Sequence, residues 1–197
     1  ESMVEPYYGP FESMICGAQV DIPMAEFWQD SDTDSVKMVS SIGHGYGKRI
    51  IAAESFTGMP EKHGRWLDDP YSMKAFGDQM FCRGINQYVF HCSVHQPWLN
   101  RAPGMTLGCY GIHLNRCNTW FEWSGPWMQY LARCQHLLRQ GRVLADVAYF
   151  CGQNAPVSNR PGNPPTPAGY YWDDINTDLL MNHAKVLDGR IVLDSGA

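Results

Sequence analysis

The 197-residue chain has no run of Lys or Arg, and its formal charge is −5. A mildly acidic surface without a basic stripe argues against nucleic acid and anionic membrane as partners. No stretch of about 18 apolar residues occurs, so no segment reads as a membrane-crossing helix. No HExxH, nucleophile elbow, P-loop or GxGxxG is present, which removes the usual signatures of a zinc protease, a serine hydrolase and a nucleotide-binding domain. Gly43-His44-Gly45-Tyr46-Gly47 is glycine-dense, but it precedes a strand instead of following one, so it does not read as a phosphate cradle. The seven cysteines stand singly at Cys16, Cys82, Cys92, Cys109, Cys117, Cys134 and Cys151. Without a CxxC pair they offer neither a zinc ribbon nor a thioredoxin motif, and they are expected to be mostly buried free thiols. There is no internal repeat or low-complexity tract. No initiator Met or signal peptide opens the chain, so it reads as part of a longer protein whose targeting signals lie elsewhere.

Aromatic residues are plentiful, with 7 Trp, 10 Tyr and 8 Phe. Such a composition suits neutral polar ligands such as sugars, whose apolar ring faces stack on indole. The apolar run from Arg49 through Ala53 ends in Glu54-Ser55-Phe56-Thr57, and the turn residues Gly58-Met59-Pro60 follow. A short apolar run bounded by turn residues predicts a strand buried on both faces, hence a parallel sheet. A carboxylate where that strand meets its loop is misplaced for packing and well placed for chemistry.

The same arrangement recurs along the chain. Met3-Val4-Glu5 precedes a loop, then a short helix within 11–18. Val20 to Trp28 predicts a strand carrying Glu26. Asp34 caps a helix over 35–46, and Asp69-Pro70 starts another that stops at Gly84. Ile85 to His91 predicts the next strand. Glu5, Glu26, Glu54 and His91 thus stand 21, 28 and 37 residues apart at strand ends. Four such units predict an α/β fold, the C-terminal half of a (β/α)8 TIM-type barrel over 1–141. Its last helix, Trp127 to Gln140, shows an apolar stripe of Trp127, Tyr130, Leu131, Cys134, Leu137 and Leu138. Residues 142–197 read as the truncated start of a second α/β domain. Its elements are a strand over 143–150, a Pro/Asn/Gly-rich loop over 154–169, a helix capped by Asp173 or Asp174, and a hairpin turning at Asp188-Gly189.

Three strand-end carboxylates at one barrel mouth are what glycoside hydrolysis requires, one side chain protonating the leaving oxygen and another activating water or attacking the sugar. Crowded carboxylates also recruit a hard cation such as calcium. The plainer reading of each is a loop ion pair. His91 and His95 lie on strand and loop, so they read as donors to a substrate hydroxyl or as satisfied structural histidines, and not as a zinc pair. Trp28 beside Glu26 is a subsite candidate. Trp98, Trp120 and Trp123 either stack on substrate or pack the long loop.

The ordered set Glu5-Pro6-Tyr7, Asp21 to Trp28, Ala52 to Thr57, Gly84-Ile85-Asn86, Phe90-His91, His95-Gln96-Pro97-Trp98, Pro103 to Thr106, Thr119 to Glu122 and Tyr130 to Gln135 resembles the large bacterial α-L-rhamnosidases of glycoside hydrolase family 106. The resemblance implies a catalytic (β/α)8 barrel followed by a flavodoxin-like domain. It implies hydrolysis of terminal α-L-rhamnose from plant polysaccharides or glycosides with inversion, calcium at the site, and a periplasmic or extracellular setting. It makes Glu54 the general base. Glu26 and Glu5 would ligate calcium or bind sugar, and His91, His95 and Trp98 would line the pocket. The general acid would come from a strand upstream of this chain, so the fragment alone is expected to be inactive. Two alternatives stay open: a retaining β-galactosidase-type enzyme with Glu54 as nucleophile, and a non-catalytic sugar-binding remnant.

Overall fold

A computed structural model describes residues 1–31, 34–59, 61–63, 66–155 and 165–197. Pro60 in the predicted turn and much of the loop expected over 154–169 fall outside these residues. The chain order is β1 (Met3–Val4), α1 (Ser13–Ala18), β2 (Ile22–Trp28), α2 (Asp34–Gly45), β3 (Ala52–Thr57), α3 (Pro70–Cys82) and β4 (Gln87–Phe90). A 3-10 turn (Phe121–Trp123) and α4 (Gly125–Leu138) follow, then β5 (Val147–Gly152), β6 (Trp172–Asn176), a π turn (Leu179–His183) and the hairpin β7 (Ala184–Leu187) and β8 (Arg190–Leu193).

Strands β1 to β4 form one parallel sheet in sequence order. Parallel neighbours need a crossover, and the helices predicted between the strands supply it. The cap of α3 forms as expected: Ser72 N–H donates to Asp69 (2.8 Å), and Asp69 N–H donates back to Ser72 Oγ (3.0 Å). On the inner face of the sheet, Phe27 meets Phe56 edge-on at 4.9 Å and Tyr88 at 5.7 Å, while Tyr88 stacks on Phe81 at 4.4 Å. Trp127 and Leu131 of α4 close this core, but Leu137 and Leu138, expected in the same stripe, are exposed. No described helix is long and apolar enough to cross a membrane.

Helix α2 is buried from Ser35 to Gly45, packed between the sheet and β6. Its glycines permit that closeness: a Cβ on Gly43 would sit 2.4 Å from Ile51. The helix predicted after Asp173 or Asp174 forms only from Thr177 to His183, and the two Asp residues lie in strand β6 instead of capping it. The Asp pair looks like a helix cap, but its backbone pairs in parallel with β5 (Ala148 with Asp173, Tyr149 with Asp174). The Asp173 carboxylate turns into the core instead, where it accepts from Lys37 Nζ (2.6 Å) and Ser41 Oγ (3.1 Å) and meets His44 Nδ1 (2.9 Å). The hairpin turns at Asp188 and Gly189, both left-handed (φ 49° and 73°). The cysteines are free, as expected, but six are half-buried and Cys82 is exposed. Cys134 and Cys151 pack against the margin of the core, partly covered, instead of inside it.

Asp174 lies beside this network with Oδ2 buried and unpartnered. Burial pushes its carboxyl up to about 7, with Lys37 opposing and Asp173 adding to the rise. A carboxyl raised above its ordinary 3.8 favours the folded state when protonated, and that advantage is lost as pH rises through about 7. Asp174→Asn, neutral throughout, is therefore expected to gain stability over the native protein at pH 8 relative to pH 5, by on the order of 2 kcal/mol. Thermal melts of both proteins at the two pH values check this. An offset that is the same at both would contradict it.

Candidate active site

In the parallel ladder between β2 and β3, Glu26 stands directly opposite Glu54. Neighbouring strands are about 4.8 Å apart, and opposed residues of a parallel pair share a face. The two carboxylates are therefore side by side by construction. Glu5 comes from just past β1, the strand on the other side of β2. Burial pushes the Glu5 carboxyl up; the Tyr7 phenol opposes this, and the charges of Glu54 and Glu26 add to the rise. The three carboxylates thus share one electrostatic neighbourhood.

Glu26 is held at both oxygens. Trp28 Nε1 donates to Oε1 (2.5 Å), and the Tyr7 hydroxyl donates to Oε2 (3.1 Å). Burial, then the charges of Glu26 and Glu5, push the Tyr7 phenol far above its ordinary range, so it remains a neutral donor. Trp28 is braced in turn by Tyr110, edge-on at 5.6 Å.

Glu54 is held more loosely. Its Oε1 accepts from Thr57 Oγ1 at 3.3 Å, and the same hydroxyl lies 3.3 Å from His91 Nδ1. Residues three apart in a regular strand face opposite sides. Here the pairing steps from Phe27–Ser55 to Trp28–Thr57, leaving Phe56 as the extra residue of a bulge. Glu26 and Trp28 share a face, so their partners Glu54 and Thr57 do too. Phe56 takes a left-handed φ of 64°, strained for a bulky side chain by about 1–3 kcal/mol. Its ring is fully buried against Phe27, Tyr88 and Trp127, which offsets that strain.

After β4 the chain folds back beside His91. Ile112 N–H donates to His91 O and Leu114 N–H to Cys92 O, both at 3.0 Å. Gly111 permits this approach: its φ is 86°, and a Cβ there would lie 2.5 Å from His91 O. His113 is carried in with it, buried against Trp66 with Nε2 unpartnered. Burial, then the nearby His91, lower its tendency to protonate. Cys92 is pushed up by burial and then by the Glu54 charge.

Of the residues predicted from sequence, Glu5, Glu26, Trp28, Glu54 and His91 gather here. His95 and Trp98 do not join them by any hydrogen bond or ring contact. Both are exposed in the loop after β4, where Arg101 sits 5.5 Å over the Trp98 ring. Trp120 packs the loop, its Nε1 donating to Asp68 O (2.8 Å) and its ring edge-on to Trp127. Sequence reading gave Tyr7, Thr57, Tyr110 and His113 no role. Only Tyr7 carried a usable signal, a phenol two residues from a strand-end carboxylate.

Among the described residues, no group of three or more His, Cys, Asp and Glu side chains converges closely enough to hold a metal. Glu5 and Glu26 can offer at most four carboxylate oxygens, fewer than the six to eight calcium takes. Any calcium would need further donors. A cavity of about 480 Å³ lies at the opposite end of the strands, by Ile51, Ile85 and Asn86, and the carboxylates do not line it.

Carboxylates at the ends of parallel strands are groups that glycoside hydrolysis can use. Comparison with known proteins agrees. The chain belongs to glycoside hydrolase family 106, described as alpha-L-rhamnosidase, whose profile matches residues 4–197. It is 41% identical over 189 residues to a Formosa agariphila protein named "Putative beta-glucuronidase", covering 93% of this chain and 16% of that protein. It also matches the structure of a rhamnosidase from Novosphingobium sp. PP1Y with a TM-score of 0.84 and 34% identity, over 94% of this chain and 18% of that one. The chain therefore spans about a sixth of the length of these relatives.

Proposed function

We propose that this chain supplies the water-activating half of an inverting α-L-rhamnosidase site. In this reading, residues 1–141 are the C-terminal half of a (β/α)8 barrel and the remainder begins a flavodoxin-like domain. The carrying observation is the unequal hold on the two opposed carboxylates. Among the described residues, Glu26 has both oxygens engaged, at 2.5 and 3.1 Å, whereas Glu54 has one 3.3 Å contact on one oxygen. Glu54 therefore keeps the lone pairs needed to take a proton from water as that water attacks the anomeric carbon. Glu26, fixed by two donors, suits a sugar-positioning role beside Trp28. His91 borders the same face, and His95 and Trp98 extend it if the exposed loop closes over substrate. The acid that protonates the leaving oxygen belongs to a part of the protein outside this chain, so the chain alone would not turn over. Calcium, if bound, would take a carboxylate oxygen from each of Glu5 and Glu26 and balance the crowded charge. The family and the rhamnosidase likeness support rhamnose over glucuronic acid, and they suit a periplasmic or extracellular setting.

The test is NMR of the full-length protein acting on an aryl α-L-rhamnoside and, separately, an aryl β-D-glucuronide, with a chelated sample alongside. The expected result is turnover of the rhamnoside alone, β-L-rhamnose as the first anomer, and loss of rate on chelation that calcium restores. First release of the α anomer would favour the retaining alternative, with Glu54 as nucleophile. Sugar binding without hydrolysis would favour the non-catalytic remnant.

A further inference from the structure

Thr57 is 2% exposed, and its hydroxyl has two side-chain partners, Glu54 Oε1 and His91 Nδ1, each at 3.3 Å. An ionised carboxylate only accepts, so the hydroxyl must donate to Glu54. Its oxygen is then left to accept, and the proton between it and the imidazole must sit on His91 Nδ1. The direction of both bonds follows from the carboxylate alone. In neutral His91, Nε2 would then be the acceptor left for a ligand.

Nothing in a regular strand would put Thr57 there. The bulge at Phe56 moves it to the Glu54 face, and the buried aromatic cluster holds Phe56 in its strained left-handed turn. A fold that merely needed a strand at this point would not require a buried, left-handed phenylalanine. Bulges of this kind re-aim side chains beside active sites.

We propose that Thr57 is a positioning residue: its hydroxyl orients the Glu54 carboxylate for proton abstraction and fixes His91 as the Nδ1–H tautomer. This rests on the reading of Glu54 as general base. Removal of the hydroxyl takes from Glu54 the one side-chain donor it has among the described residues, and that donor favours the ionised form. Activity should therefore fall, and its acidic limb should move to higher pH.

The test uses the full-length protein with Thr57→Val, Thr57→Ser, Glu54→Gln and the Thr57→Val/Glu54→Gln double variant, assayed on an aryl α-L-rhamnoside across pH. Thr57→Val is expected to lose roughly tenfold in kcat, with the acidic limb of kcat/KM raised by about one pH unit. Thr57→Ser, which keeps the hydroxyl, is expected to stay within about threefold of the native rate with its limb unmoved. In the Glu54→Gln background, Thr57→Val should have no further effect. Should Thr57→Val fail to fold, Thr57→Ala set against Thr57→Ser makes the same comparison. A crippled Glu54→Gln beside a Thr57→Val with native kcat and an unmoved limb overturns the positioning role alone. Equal losses in Thr57→Val and Thr57→Ser overturn it as well. A fully active Glu54→Gln instead overturns the base assignment on which it rests.

Discussion

Replacing Glu54 by Gln in the full-length protein is expected to lower kcat on an aryl α-L-rhamnoside about 10²–10⁴-fold, with KM little changed. The amide keeps the shape of the side chain, and its oxygen can still accept from Thr57, which lies 3.3 Å from Oε1. What it loses is the ability to take a proton. A loss in kcat without a rise in KM is the mark of an interaction needed only in the transition state. Steady-state kinetics across a range of substrate concentrations separates the two parameters. A kcat within about threefold of native would remove Glu54 from the mechanism, and the same arithmetic would then have to be tried on Glu26.

The second large effect concerns stability. Asp173→Ala is expected to destabilise the packing of α2 against β6 by about 3–5 kcal/mol, because it strands a buried cation. Lys37 Nζ lies 2.6 Å from the Asp173 carboxylate and 3.9 Å from the Tyr171 ring centroid, and both Lys37 and Asp173 are buried. Ser41 and His44 of α2 also turn to this carboxylate. Burial alone would push Asp173 up, but His44 and Lys37 outweigh it and hold the carboxyl below its ordinary 3.8. A carboxyl depressed in the folded state contributes stability that is present above that value and lost as pH falls through the lower folded one. Hydrogen exchange over residues 34–45 and 172–176 reads the effect locally, so the size of the whole protein does not matter. Exchange there should speed up by about 10²–10⁴-fold near neutral pH. Unchanged protection in both segments would show that the ion pair is not what joins them.

Local signals made most of the first sheet legible. Asp69-Pro70 and Gly84 bracket α3 because caps and stops act within a turn of the residues that carry them. The run through Ala52 and Ala53 reads as buried because a parallel strand is covered on both faces, and Glu54 is conspicuous against that background. Equal placement at strand ends was enough to bring Glu5, Glu26 and Glu54 together. Thr57 was hidden for a definite reason. The two-residue period puts it on the face away from Glu54, and only a bulge invisible in the letters reverses that. Asp173 and Asp174 were misread because a cap signal is local, whereas pairing with β5 and contacts from α2, about 130 residues away, decide their conformation. His95 and Trp98 sit in a loop whose course depends on Gln96, which donates to Met105 O and accepts from Met105 N–H. No periodicity encodes such a contact.

The most direct measurement is a crystal structure of the full-length protein with L-rhamnose bound. The expected result is one sugar over the face of β2 and β3 that carries Glu26 and Glu54, its anomeric carbon facing Glu54 across a single water. Glu26 should contact the ring hydroxyls, and an acid from elsewhere in the protein should lie about 6.5–9.5 Å from Glu54. A sugar seated away from these carboxylates, with Glu54 open to bulk solvent, would contradict the account.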